Sequence, residues 1–207
     1  FSGQIDNGGE LITLTDSSGT VIRSFTYDDL APWPVEADGA GPAMVLIKPE
    51  TNPDHSIAAN WRASAGNGNP GTSDAFAYAA WKSANASGQA DTADADNDGL
   101  TTFWEYVSGG TPGAANTGLL PASALEAITT GVTTDTFQTL TATLRLGADD
   151  VQLFPESGSN LTTWSSAEMI LHRRTLNPDG TITLTWRHAR PWSADQRLYM
   201  RLRAAVQ

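Results

Sequence analysis

The stretch Asp94-Ala-Asp-Asn-Asp-Gly-Leu-Thr-Thr-Phe-Trp-Glu105 constrains this chain most, because four carboxylates fall at the spacing D-x-D-x-D-G-x5-E. Alternate residues of a tightly coiled loop turn their oxygens toward one centre. A glycine permits the sharp bend, and a distal glutamate closes the shell with both its oxygens. The spacing predicts a calcium site. Asp94, Asp96 and Asp98 are the first ligands, Leu100 gives a backbone carbonyl, Thr102 sits at the position often bridged by water, and Glu105 completes the shell. Two carboxylates about 4 Å apart repel by roughly 4 kcal/mol at an effective dielectric of 20, so an ion-free folded loop is strained. Calcium suits a large, flexible oxygen cage better than magnesium, which dehydrates reluctantly.

Charge distribution agrees with a cation site. The net charge of −11 divides into about −6 over residues 1–72, −5 over 73–118 and 0 over 119–207. Such an acidic surface repels phosphate backbones, which argues against a nucleic-acid partner. With no cysteine, metal ligation rests on oxygen or histidine. No apolar run approaches the ~20 residues of a membrane span. The residues after Phe1 show neither the basic nor the apolar region of a signal peptide.

Three segments follow from periodicity. Residues 1–72 read as β-structure: Glu10–Thr15 and Val21–Tyr27 are roughly alternating and rich in β-branched residues, with a hairpin connection at Asp16–Thr20, and Ala43–Ile47 is a third apolar run. Residues 73–118 change period. Ser73–Ala84 is alanine-rich with Phe76, Ala79, Ala80 and Ser83 on one face and reads as a short helix capped by Ser73 or Asp74. A second helix starts at Thr102 and stops at Gly109-Gly110. Residues 119–207 are again β: Thr139–Leu146 alternates strictly, with Leu140, Ala142, Leu144 and Leu146 on one face. Further strands are expected at Val151–Phe154, Thr181–Trp186 and Leu198–Arg203. The small, turn-rich run 113–124 reads as a linker.

Several spaced motifs over Gly3–Gly71 resemble the C-terminal half of a bacterial lamin-tail domain: Asp6-Asn-Gly-Gly-Glu10, a strand, Asp16-x-x-Gly19, a strand ending in Phe25-Thr-Tyr-Asp-Asp29, Ala31-Pro-Trp-Pro34, and Asn60-Trp-Arg62. The resemblance implies an immunoglobulin-like β-sandwich with a binding or scaffolding role. The opening strands of that fold are missing, so they lie upstream or come from the C-terminal half or a second copy. Residues 91–112 resemble the calcium repeats of dockerins and thrombospondin type 3 modules, as a single copy. Loosely, Ser159–Trp164 and Tyr199–Arg203 resemble C-terminal β-modules of secreted bacterial proteins.

Among the seven tryptophans, Trp33, Trp61 and Trp192 lie outside clear strands and are candidates for stacking on sugar rings, although large aromatics more often pack. His55, His172 and His188 are scattered, with no metalloprotease helix motif or nucleophile elbow. Asp28-Asp29 reads as loop capping. Arg173, Arg174, Arg197, Arg201 and Arg203 read as a solvated strand face that discourages edge pairing, with docking to an acidic neighbour as the sharper alternative. The expected fold is mainly β, with immunoglobulin-like β-sandwich regions flanking an EF-hand-like helix–loop–helix. The expected role is that of a calcium-stabilised, non-catalytic adhesion or scaffolding fragment of a secreted or cell-surface bacterial protein. It would contact neighbouring modules or a second copy. A carbohydrate-binding module, and accessory domains of a secreted enzyme, are the alternatives.

Overall fold

The computed structural model describes residues 5–39, 41–69, 71–193 and 197–207. The chain is mainly β, with 37% strand against 14% helix. It divides into two compact units, Phe1–Asp74 and Ala75–Gln207.

In the first unit, β1 (Leu11–Thr15) and β2 (Val21–Thr26) form an antiparallel hairpin that pairs Ile12 with Phe25. Asp16 fixes its turn. One carboxylate oxygen accepts from the backbone N–H of Ser18 at 2.8 Å and of Thr20 at 2.9 Å, and from the Ser18 hydroxyl at 2.7 Å. These bonds, the Ser18 hydroxyl foremost, lower the Asp16 pKa. A second pair joins β3 (Met44–Leu46) to β4 (Trp61–Ala63). Trp61 stacks on Phe25 with ring centroids 5.5 Å apart and also meets Trp33 and His55, so rings from four segments make a local core. Arg62 grips Asp74 with two bonds of 2.6 and 3.0 Å, and both side chains are largely buried.

Among the described residues, the second unit holds α1 (Tyr78–Asn85), α2 (Thr102–Ser108) and six strands. The strands β5 (Ala122–Thr130), β6 (Thr133–Arg145), β8 (Met169–Leu176) and β9 (Thr181–His188) form an antiparallel sheet ordered β5-β6-β9-β8. The strand β7 (Val151–Gly158) pairs with β10 (Tyr199–Val206). The alternation in β6 has its expected meaning: Leu140, Ala142, Leu144 and Leu146 are buried, facing Trp186 and Ile182 of β9 in register with Leu140 and Leu144. The opposite face is only partly wet. Thr139 and Thr185 are buried, and Thr141–Thr185 and Thr143–Thr183 hydroxyl pairs cross from β6 to β9 at 3.0 and 3.2 Å.

Two local expectations change. The first helix begins at Tyr78, because Asp74 is committed to Arg62 and the Tyr78 N–H is taken instead by Asp150 Oδ2 at 2.7 Å. The run 113–124 is not an extended linker: Thr117–Leu119 coils into a 3-10 turn and β5 begins at Ala122. Arg173, Arg197, Arg201 and Arg203 are exposed, as a solvated strand face requires, and three of them also pair within their own unit, Arg201 and Arg203 with Glu156 and Arg173 with Glu126. No helix among the described residues is long and apolar enough to cross a membrane.

Candidate metal centre

The acidic loop joins α1 to α2 and is tied shut at its base. Backbone N–H groups of Thr102 and Phe103 donate to the carbonyls of Ala93 and Asp91 at 2.7 and 3.1 Å. Asp91 in turn accepts from the Tyr78 hydroxyl at 2.7 Å and from Lys82, which holds its carboxyl below the usual range. Within the loop, Asn97 and Gly99 take left-handed conformations at φ 61° and 96°, which folds the chain back on itself. The Thr101 hydroxyl caps α2 by accepting from the Trp104 N–H at 3.4 Å.

This folding brings Asp94, Asp96 and Asp98 together, with one carboxylate oxygen of each lying within 4.8 Å of the others, so the three can hold a metal ion. Backbone N–H groups steady them: Gly99 donates to Asp94 Oδ2 at 3.0 Å, Asp98 to Asp96 Oδ1 at 3.3 Å, and Leu100 to Asp98 Oδ1 at 2.8 Å. Leu100 is buried. Thr102 is buried too, its hydroxyl reaching Gln89 Oε1 and Ala93 O at 3.1 and 3.2 Å.

Glu105 lies outside the three-aspartate cluster but close enough to feel it. It is 2% exposed, and neither of its carboxylate oxygens makes a well-formed hydrogen bond, since the neighbouring Asn116 amide, which lowers its pKa, is directed to the Thr111 and Ala114 carbonyls. Asp96 Oδ2 is likewise buried without one. A native interior rarely leaves such groups unmatched, since an unpaired buried charge costs several kcal/mol. Burial first, and then repulsion from Asp98, Asp96 and Asp94, pushes the Glu105 pKa up to about 7, with Asn116 alone pulling the other way. Orphaned oxygens beside clustered carboxylates fit a cation bound by hard oxygen ligands.

The surrounding structure holds the helices to the sheet. Arg145, at the end of β6, donates from Nε to the Tyr106 carbonyl at 2.8 Å and from a terminal nitrogen to the Gly110 carbonyl at 3.4 Å, which satisfies the C-terminal end of α2. Its guanidinium lies 5.4 to 5.6 Å from the ring centres of Phe76, Trp81 and Tyr106. Asp150, beyond β6, accepts the buried Tyr106 hydroxyl at 2.6 Å as well as the first N–H of α1. Spacing in the sequence indicated the loop, but not Arg145, Asp150, Gly110 or Asn116. Arg145 looked like one more outward residue of an alternating strand.

The other candidates are dispersed. Trp33 is 8% exposed, and Trp61 donates its ring N–H to the His55 carbonyl at 2.9 Å within the aromatic cluster of the first unit. Trp192 is 39% exposed and lines a shallow surface pocket with Ser123, Leu125 and Gln138. Asp28 and Asp29 border a cleft of about 210 Å3 beside Tyr27 and Asp38. No family model, curated protein or solved structure matches the chain.

Proposed function

We propose that this chain is a calcium-stabilised, non-catalytic structural and adhesion module of a larger secreted or cell-surface bacterial protein. The observation that supports this is Glu105: a carboxylate buried beside three aspartates, with only the Asn116 side chain to offset them, is compatible with a folded chain at neutral pH once a cation neutralises it. In this reading the loop is EF-hand-like, of the dockerin and thrombospondin type 3 kind. Asp94, Asp96, Asp98 and Glu105 give carboxylate oxygens and Leu100 its carbonyl. Thr102 lies at the water-bridged position. The first unit is a partial lamin-tail-like region of immunoglobulin-like character, the sheets of the second form a sandwich-like module, and the partners are neighbouring modules or a second copy.

Calorimetric titration of the whole chain with calcium tests this, with a dissociation constant in the range of roughly 10⁻⁴ to 10⁻³ M expected of an extracellular module. The melting temperature should rise with calcium and fall with chelator. An identical melt in both sinks the proposal.

Exposure of Trp192 beside Gln138 and Ser123 supports a second reading, glycan binding through an indole face. Retention of a soluble glycan by the native chain, lost in Trp192→Ala with the fold intact, favours it. Absence of any retention on a glycan array disposes of it.

A further inference from the structure

We propose that Gly110 and Asn116, outside the twelve-residue loop, form the outer wall of the metal site, so that an ion in the loop fixes the connection from α2 into β5. This rests on the metal reading above.

Five contacts place the wall. The Asn116 N–H donates to Asp98 Oδ2, while Asp98 Oδ1 accepts from Leu100, so this carboxylate is held both from within the loop and from beyond α2. The Asn116 side-chain amide donates to the carbonyls of Thr111 and Ala114, closing the 111–116 turn on itself and presenting that N–H. Gly110 lies directly against Glu105: a β-carbon there would overlap Oε2 and stand 2.9 Å from Cδ. A larger residue there would displace this carboxylate from its present position. At the far end, a β-carbon on Gly99 would stand 3.5 Å from Leu120 Cδ2, which marks loop and connection as neighbours there too.

Glu105, Asp98 and Gly99 of the loop thus meet Gly110, Asn116 and Leu120 of the connection, and β5 starts two residues after Leu120. Groups that orient metal ligands from outside the coordination shell govern affinity through the ligand positions they allow. The dependence runs both ways. With an ion present, Asp98 and Glu105 are drawn inward and the wall seats on them. Without one, carboxylate repulsion forces Glu105 toward Gly110 and loosens the turn.

The test uses the whole chain and calcium alone as ligand, with calorimetric affinity and thermal melts in calcium and in chelator. Asn116→Ala should weaken calcium binding about 10-fold, and Gly110→Ala about 100-fold, the span expected of outer-shell changes. The Asn116→Ala variant should lose more stability in calcium than in chelator, because losing the bonds to Thr111 and Ala114 loosens the turn in both, whereas the weaker hold on the ion adds its cost only in calcium. In the native chain, calcium should slow amide hydrogen exchange across residues 110–120. If Gly110→Ala fails to fold, Asn116→Ala and the exchange measurement decide. Native affinity in Asn116→Ala, destabilisation of that variant by the same amount with and without calcium, or exchange indifferent to calcium overturns the wall while leaving the metal site standing. A native chain that binds no calcium removes the metal reading and the wall together.

Discussion

Replacing Glu105 with glutamine removes the charge that, in the proposed reading, makes this site depend on an ion, and the effect on stability depends on pH and on calcium. Without metal, the Glu105 pKa rises from 4.5 to about 7 through burial and the neighbouring aspartates. Between those values the folded chain keeps a proton that the unfolded chain has released, so folding stability falls as pH rises through that window. One pKa unit corresponds to about 1.4 kcal/mol, which sets a ceiling near ~3 kcal/mol by pH 8. Glutamine is close in shape and carries no charge. In chelator, Glu105→Gln and the native chain should therefore have similar stability at pH 4.5, and the variant should be the more stable by up to ~3 kcal/mol at pH 8. With calcium at about 100 times its dissociation constant, the native chain gains ~2.7 kcal/mol by linkage, which brings it back to about the stability of the variant at pH 8. The bound ion keeps Glu105 ionised, so this gain is present at neutral pH and lost on acidification. Urea denaturation from pH 4.5 to 8, in chelator and in calcium, reads both effects. A native-minus-variant difference that stays flat with pH in chelator would refute the reasoning.

Other perturbations test the surroundings. Arg145→Leu leaves the Tyr106 and Gly110 carbonyls without their donor and takes a cation from three aromatic rings; it should cost about 3 kcal/mol in a urea melt, with Arg145→Lys recovering only part. Asp74→Asn in the first unit breaks a buried bidentate pair and should destabilise by about 3 kcal/mol at pH 7. Arg62 foremost lowers the Asp74 pKa below 3.8, so its stabilisation is present above that value and lost as pH falls through the folded-state value; native and Asp74→Asn stabilities should converge in strongly acidic buffer. Asp150→Ala removes the acceptor shared by the Tyr78 N–H and the Tyr106 hydroxyl and should cost about 2 kcal/mol, with faster exchange of the first α1 amides.

The parts of this structure that can be read in the sequence are those whose causes are local. The alternation of Leu140, Ala142, Leu144 and Leu146 states which face of β6 is buried, and the aspartate spacing brings three carboxylates to one point. Asp16-Ser-Ser-Gly-Thr20 carries its own hairpin chemistry. What escaped has remote causes. The strand β5 is an edge strand whose Leu125 is exposed and whose Glu126 is held by Thr139 and Arg173 from other strands, so its periodicity is weak. The polar run His172, Arg173 and Arg174 disguises β8, whose register also shifts between Leu171 and Arg173. The start of α1 depends on Asp150, 72 residues away, and no window along the chain reports that. The wall residues Gly110 and Asn116 read as helix stop and turn, because their meaning comes from the two carboxylates they touch.

The same long-range tie sets an order of events during synthesis. Asp94 to Glu105 is short enough to emerge from the ribosome as a unit, yet the helices on either side of it are anchored by Arg145 and Asp150. A seven-residue helix such as α2 is marginal without its tertiary contacts. The metal-competent loop therefore matures only after some 45 further residues have followed Glu105 and the β6–β7 turn has formed. A nascent chain paused at residue 118 should not hold calcium, although every proposed ligand has been made.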